Sequence, residues 1–311
     1  VNPNESEVIE LNALSLGYAV PRHDFSVAVH SVFPDAINLK PRNGGRLLTL
    51  VSSANADLPQ GIRLDAPRGF SFDLGLQPGE SLFCQNSYLQ DEYRRLSINF
   101  RQAKYWKCKL PDLGAVGMTQ NLSAAWNSVW KALNERQSIY GAEICAEELF
   151  YTVTPEQKAV AKSMGVLIRE LIENTRNLDT SVEKIVAGLI GLGSGLTPSG
   201  DDFLVGFLTG LHSTRGKSRN RLKFLSKLGR YVRRLSCNTN DISSTYLYHA
   251  TKGKVSSKLA GLVEAIAGGE GTNHFWQTVE KVMRVGHSSG MDTVTGLLVG
   301  LSTWGNGFPQ L

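Results

Sequence analysis

The chain has 311 residues, 41% hydrophobic and 20% charged, an ordinary globular composition with room for two domains. No run approaches eighteen uninterrupted apolar residues, which excludes a transmembrane helix, and the first thirty residues lack the basic and apolar regions of a signal peptide. The net charge of +5 is concentrated in residues 215–234, which hold nine Lys/Arg and no acid and leave 24 basic against 28 acidic residues elsewhere, so overall charge does not argue for nucleic acid.

The N-terminal third reads as strands. "FSVAVHSVF", "LLTLVSS", "GFSFDLGL" and "RLSINFR" are short runs rich in branched and aromatic residues, separated by the turn segments "KPRNGG", "ADLPQG" and "LQPGES". "RNGGR" and "QPGES" suit hairpin connections. Strands this short and this regularly spaced predict a small β-sandwich or barrel over residues 1–114.

Beyond the stretch 112–118 helical periodicity takes over. "NLSAAWNSVWKALNERQ" opens with an Asn or Ser cap, and "TPEQKAVAKSMGVLIRELIENT" opens with Thr154 as N-cap, Pro155 at the first helical position and Gln157 completing a capping box. "DTSVEKIVAGLIGLG" follows and stops at its glycines. In the basic run, Leu222, Leu225, Leu228, Val232 and Leu235 recur at helical spacing, giving an amphipathic helix with a basic outer face that meets solvent or an acidic partner. The run lacks the aromatic interleaving of a nucleic-acid or membrane surface. In "NDISSTYLYHATKGKVS", Asn240 or Asp241 caps a helix carrying Ser243, Ser244, Tyr248 and His249 that ends at Gly253. About eight helices fill residues 115–311, and the fold class is α+β. Cys84, Cys108, Cys145 and Cys237 are far apart with no CxxC spacing, which favours buried thiols in a reducing, cytoplasmic setting over a zinc site or a disulfide framework.

One device occurs twice in the helical half. "SGDDFLVGFLTGL", residues 199–211, and "SGMDTVTGLLVGL", residues 289–301, align without a gap at an offset of 90 and agree at seven of thirteen positions. In each copy Ser followed three residues later by Asp predicts a capping box, Ser199 with Asp202 and Ser289 with Asp292, and a helix starting at Gly200 or Gly290. The glycine pairs 206/210 and 296/300 lie on one helical face. Glycine inside a helix costs about 0.5–1 kcal/mol against alanine, so the pairs imply close backbone packing, most simply of the two helices on each other. A pseudo-twofold would then bring both N-termini to one place.

Helix N-termini present unpaired N–H groups and bind anions. The loops "GLGSGLTP" and "GHSSG" add backbone donors. Neither is a GxxxxGK[ST] phosphate loop or a dinucleotide GxGxxG after a strand. Candidate ligand-binding residues are Gly193, Gly195, Thr197, Ser199, Gly200, Ser243, Ser288, Ser289, Gly290 and Asp292, and candidate catalytic residues are Asp201, Asp202 and His287. The plain reading of Asp202 and Asp292 is capping. Asp201 has no capping role and no acidic counterpart, since the second copy has Met291 at that position. Carboxylates beside an anion seat suit a small ligand with an acidic or phosphate end and an amide end, and they also admit Mg²⁺. No other cofactor, no dedicated metal site and no membrane or nucleic-acid partner is implied.

"GLGSGLTPSGDDFLVGFLTG", "DISSTYLYHATKGKVS" and "GHSSGMDTVTGLLVG" resemble the blocks of a bacterial family known as a domain of unknown function, DUF2877, which includes the third subunit of the oxamate carbamoyltransferase of anaerobic allantoin breakdown. The resemblance is firm over the C-terminal half and loose over the N-terminal domain. It implies a multi-component transferase, with two other protein subunits, that exchanges a carbamoyl group between oxalurate plus phosphate and oxamate plus carbamoyl phosphate. Both carbamoyl phosphate and oxamate have an anionic end and an amide end. Two other classes fit the residues: a non-catalytic ligand-binding or scaffold module for partner enzymes, and a stand-alone carboxylate–metal enzyme using Asp201, Asp202 and Asp292.

Overall fold

A computed structural model describes residues 8–66, 69–72, 75–114, 120–150, 163–270 and 273–305. The chain divides into two compact units, residues 1–108 and 109–311.

The first unit is a β-barrel. Its strands are β1 (Ile9–Gly17), β2 (Phe25–Phe33), β3 (Ala36–Pro41), β4 (Leu48–Val51), β5 (Gly61–Leu64), β6 (Ser81–Gln85), β7 (Tyr88–Asp91), β8 (Leu96–Asn99) and β9 (Lys104–Trp106). Eight of them form a ring in the order β5-β4-β3-β2-β6-β7-β8-β1, closed by antiparallel pairing of β1 with β5, while β9 runs parallel to the end of β1. Closure leaves the ring without an edge strand. Period-two alternation fills the inside: in β1, Leu11 and Ala13 are buried while Glu10, Asn12 and Leu14 point outward. Val27, Ile37, Leu50, Ile62 and Ile98 complete a packed interior.

The barrel revises several sequence expectations. "RNGG" does join the antiparallel pair β3 and β4. "QPGES" is not a hairpin, because β6 pairs with β2 and β7 rather than with β5. None of the described residues in "GFSFDLGL" is a strand, although Phe72 is fully buried. The tight β6–β7 turn is a further departure from those expectations. It places Asn86 and Ser87 at φ 51° and 69°, the left-handed pair a two-residue hairpin needs.

The second unit is helical, with nine α-helices among the described residues: α1 (Gln120–Tyr140), α2 (Met164–Arg176), α3 (Glu183–Leu189), α4 (Ser199–Thr214), α5 (Arg219–Leu235), α6 (Asp241–Ala250), α7 (Ser257–Gly268), α8 (Asn273–Met283) and α9 (Ser289–Trp304). The cap proposed at Thr154, Pro155 and Gln157 lies outside the described residues. No helix among them is long and apolar enough to cross a membrane.

The repeated helices α4 and α9 form the centre of this unit. A Cβ on Gly206 would overlap the Thr293 carbonyl and fall 2.7 Å from the Leu297 nitrogen. A Cβ on Gly296 would overlap the Phe203 carbonyl and fall 2.9 Å from the Phe207 nitrogen. Each pair of obstacles maps onto the other at the 90-residue offset, so the contact is two-fold symmetric. Gly210 meets Leu297 and Gly300, and Gly300 meets Phe207 and Gly210, so residue numbers rise together along both helices and they run parallel, N-terminus beside N-terminus. Thr209 and Thr295, buried inside the pair, are satisfied along their own helix, donating to the Val205 and Met291 carbonyls. Outer helices fasten the pair through side chains: Trp126 of α1 donates to the Leu298 carbonyl, and Trp304 of α9 donates to the Thr175 carbonyl of α2, each at 3.0 Å.

Helix α5 is the expected basic amphipathic helix, with Phe224, Leu225, Leu228 and Val232 inward. Leu222 does not join that face; it is exposed, because Phe224 takes the inward position on that turn. The four cysteines are free, but only Cys84 and Cys108 are buried; Cys145 is half-buried and Cys237 is exposed.

Candidate functional site

The parallel packing of α4 and α9 brings their N-terminal ends together, and the expected capping boxes do not form there. Pro198 is the N-cap of α4 and Ser288 that of α9, neither with a side-chain cap bond. Ser199 instead donates its hydroxyl across the interface to Asp292 Oδ2 at 2.7 Å. Ser289 lies beside Asp202 in the reciprocal position and shares a 2.6 Å hydrogen bond with Thr197 Oγ1. Each serine therefore serves the other copy's aspartate. A capping box needs the serine one position before the first helical turn; here the helices begin at Ser199 and Ser289, so those hydroxyls point sideways into the partner helix.

The three aspartates have different surroundings. Asp201, 1% exposed, is fully engaged: Oδ1 accepts the Gly191 N–H at 3.0 Å, and Oδ2 accepts the Thr239 hydroxyl at 2.6 Å. It ties the glycine loop to the turn before α6. The role expected of Asp201 as a bare catalytic carboxylate does not match this geometry, because both oxygens already hold the fold together. Asp202 is the open one. Its carboxyl faces Thr197 and Ser289, and Oδ2 is buried without a hydrogen-bond partner. Burial, with a smaller contribution from Asp292 and Asp201, pushes its pKa up to about 8. Asp292 is 0% exposed and its Oδ1 has no partner. Burial raises it to about 6 against the opposing hydrogen bond from Ser199. At neutral pH the site thus holds one carboxyl that keeps its proton and a second close to its titration point.

The other predicted residues separate into groups. Gly193 and Gly195 carry φ of 112° and 91° in the exposed part of loop 190–198. Gly200 and Gly290 are packing positions: a Cβ on either would overlap a carbonyl of the preceding helix, that of Leu189 or Val282. Ser288 faces Asp292. Ser243, buried on α6, faces Asp201. Asn240 caps α6 by accepting the N–H groups of Ile242 and Ser243. His287 is exposed on loop 284–288, next to Ser288.

Three residues escaped the sequence reading. Glu143, in the segment after α1, accepts the Ser194 N–H at 3.1 Å and the Ser194 hydroxyl. Thr239 anchors Asp201. Tyr246 on α6 lies beside Asp202, and its phenol is pushed up to about 12 by burial first and the Asp202 charge second. Thr239 and Tyr246 flank or belong to the hydroxyl-rich "DISSTYLYHA" block, which was signal enough to find them; nothing local marks Glu143. Among the described residues no three His, Cys, Asp or Glu side chains are gathered as metal ligands would be.

Two unpartnered carboxyl oxygens, hydroxyls from Thr197 and Ser289, and two convergent helix N-termini can hold a small polar molecule with an anionic end and N–H donors. A family model described as oxamate carbamoyltransferase subunit AllH matches residues 189–301, from the end of α3 through most of α9. The model of the AllH family N-terminal domain matches residues 12–105, the barrel. No solved structure matches the chain. The two matches span both repeat copies and the barrel, and the chain belongs to the family of the oxamate carbamoyltransferase subunit AllH.

Proposed function

We propose that this carbamoyltransferase subunit holds the carbamoyl substrate at the paired N-termini of α4 and α9, during exchange between oxalurate plus phosphate and oxamate plus carbamoyl phosphate. The observation that carries the reading is the pair of buried, unpartnered carboxyl oxygens, Asp202 Oδ2 and Asp292 Oδ1, at the positive ends of two parallel helices. Asp292 Oδ1 accepts an amide N–H of the substrate. Helix and loop N–H groups and the Thr197 and Ser289 hydroxyls take the anionic end.

In this scheme a phosphate oxygen attacks the carbamoyl carbon of oxalurate. The bond from that carbon to the inner nitrogen breaks, and the nitrogen leaves as the amide of oxamate with one added proton. Asp202 supplies that proton, since it is still protonated at neutral pH and its pKa of about 8 lies near the working range of a general acid. In reverse, the oxamate amide attacks carbamoyl phosphate, returns the proton to Asp202 and releases phosphate. Two other subunits complete the enzyme.

The test is a complex reconstituted with its partner subunits and assayed for phosphate-dependent breakdown of oxalurate. Asp202→Asn should assemble normally and lower the rate by about 10²-fold or more, the usual scale of general acid catalysis. Full activity in that variant would refute the assignment.

A further inference from the structure

The glycine loop of the first copy already holds an anion, and that anion is part of the chain. Glu143 accepts the backbone N–H of Ser194 with both carboxylate oxygens, at 3.1 and 3.2 Å, and the Ser194 hydroxyl as well. Its neighbours are built to admit it. Gly193 and Gly195 take left-handed φ on either side of Ser194, and a Cβ on Gly193 would collide with Glu143 Oε2. The two glycines flank the Ser194 N–H and hydroxyl, which are the donors of this anion seat.

The seat adjoins the substrate site. The Ser199 hydroxyl, which is committed to Asp292, also lies next to the Glu143 carboxylate. Asp292 is 0% exposed, has an unpartnered oxygen and lies close enough to be raised by the Glu143 charge. For the fold alone this is a poor arrangement, because an exposed carboxylate is set against a buried carboxyl and no cation among the described residues offsets either charge. It makes sense if Glu143 occupies the place of a ligand's charged group.

We propose that Glu143 is a displaceable internal occupant of an anion seat formed by Ser194 and the glycine loop, and that the anionic end of the substrate binds by expelling it. Glu143 then sets the affinity of the site: apparent affinity falls by the fraction of molecules whose seat is filled. The inference rests on the ligand site proposed above.

Calorimetric titration of inorganic phosphate into the full chain tests it, with wild type, Glu143→Gln and Glu143→Ala compared at one pH. The side chain is exposed, so neither variant is expected to disturb folding. Glu143→Ala should bind phosphate about fivefold tighter or more, with Glu143→Gln between it and wild type. Hydrogen exchange at the Ser194 amide should be faster in Glu143→Ala without phosphate and slow again with it. Equal or weaker phosphate binding by Glu143→Ala, with binding by wild type intact, overturns the displacement and leaves the substrate site standing. No phosphate binding by any of the three overturns both.

Discussion

Loop 190–198 leads into α4 with nine residues, three of them glycines with left-handed φ, whereas loop 284–288 leads into α9 with five residues and one such glycine. Helix α4 carries Asp201 where α9 carries buried Met291, and only the first loop is held by Glu143. Below the loops the two copies are alike: paired glycines meet backbone at matching positions, and serine and aspartate pair crosswise. The shared part is what packing requires of two parallel helices in contact. The unshared part surrounds the place where a ligand would lie, and it turns a symmetric scaffold into an asymmetric site, as an asymmetric substrate demands.

The largest effects should come from the shared part. Gly206→Ala and Gly296→Ala each drive a Cβ into the opposing backbone, and each should lower stability by about 3 kcal/mol or more in urea unfolding. Gly195→Ala meets open space and pays only for its left-handed φ, about 1–2 kcal/mol. Equal losses at Gly206 and Gly195 would break the division between scaffold and loop.

Asp201 belongs with the scaffold despite its asymmetry. Asp201→Ala leaves the Gly191 N–H and the Thr239 hydroxyl without their acceptor and should cost about 1–3 kcal/mol. A variant as stable as wild type would return Asp201 to the list of free carboxylates.

The crosswise pairing can be read by double-mutant cycles. Ser199→Ala with Asp292→Asn should show a coupling of about 1 kcal/mol, and Ser199→Ala with Asp202→Asn a smaller one. The reverse order would restore the capping boxes.

The pH dependence separates the two aspartates. Both carboxyls hold their proton more tightly in the folded state than in the unfolded chain, where aspartate titrates near 3.8. Each therefore contributes stability that is complete below that value and is lost as pH rises, up to about 6 for Asp292 and about 8 for Asp202. Asp202→Asn should flatten the fall in urea midpoint mainly between pH 6 and 8. A slope equal to that of wild type there would contradict the raised Asp202.

Much of this was legible in the sequence. The gap-free repeat with its glycine pairs foretold both the helix contact and the meeting of the N-termini, because helix periodicity and the cost of glycine are local facts. The crosswise serine–aspartate pairing was not legible. Ser-x-x-Asp satisfies the capping rule equally well, and only the partner helix decides which aspartate a serine meets. Glu143 was invisible for the same reason: it lies 51 residues from Ser194 in a segment with no motif. In the barrel, runs of branched and aromatic residues revealed β2, β4 and β8, but β5 and β7, no shorter than β8, hold Gly61 and Arg63 or Gln90 and Asp91 among their four residues and present no such run.

The most direct test of the central claim is calorimetric titration of oxamate into the full chain, comparing wild type with Asp292→Ala and with Asp201→Asn, which keeps an oxygen to accept the Gly191 N–H. The account predicts that oxamate binds wild type and Asp201→Asn with similar affinity, and that Asp292→Ala loses about tenfold or more, the scale of one charged hydrogen bond. Unchanged binding in Asp292→Ala, or loss in Asp201→Asn alone, would contradict a ligand site at the paired helix N-termini.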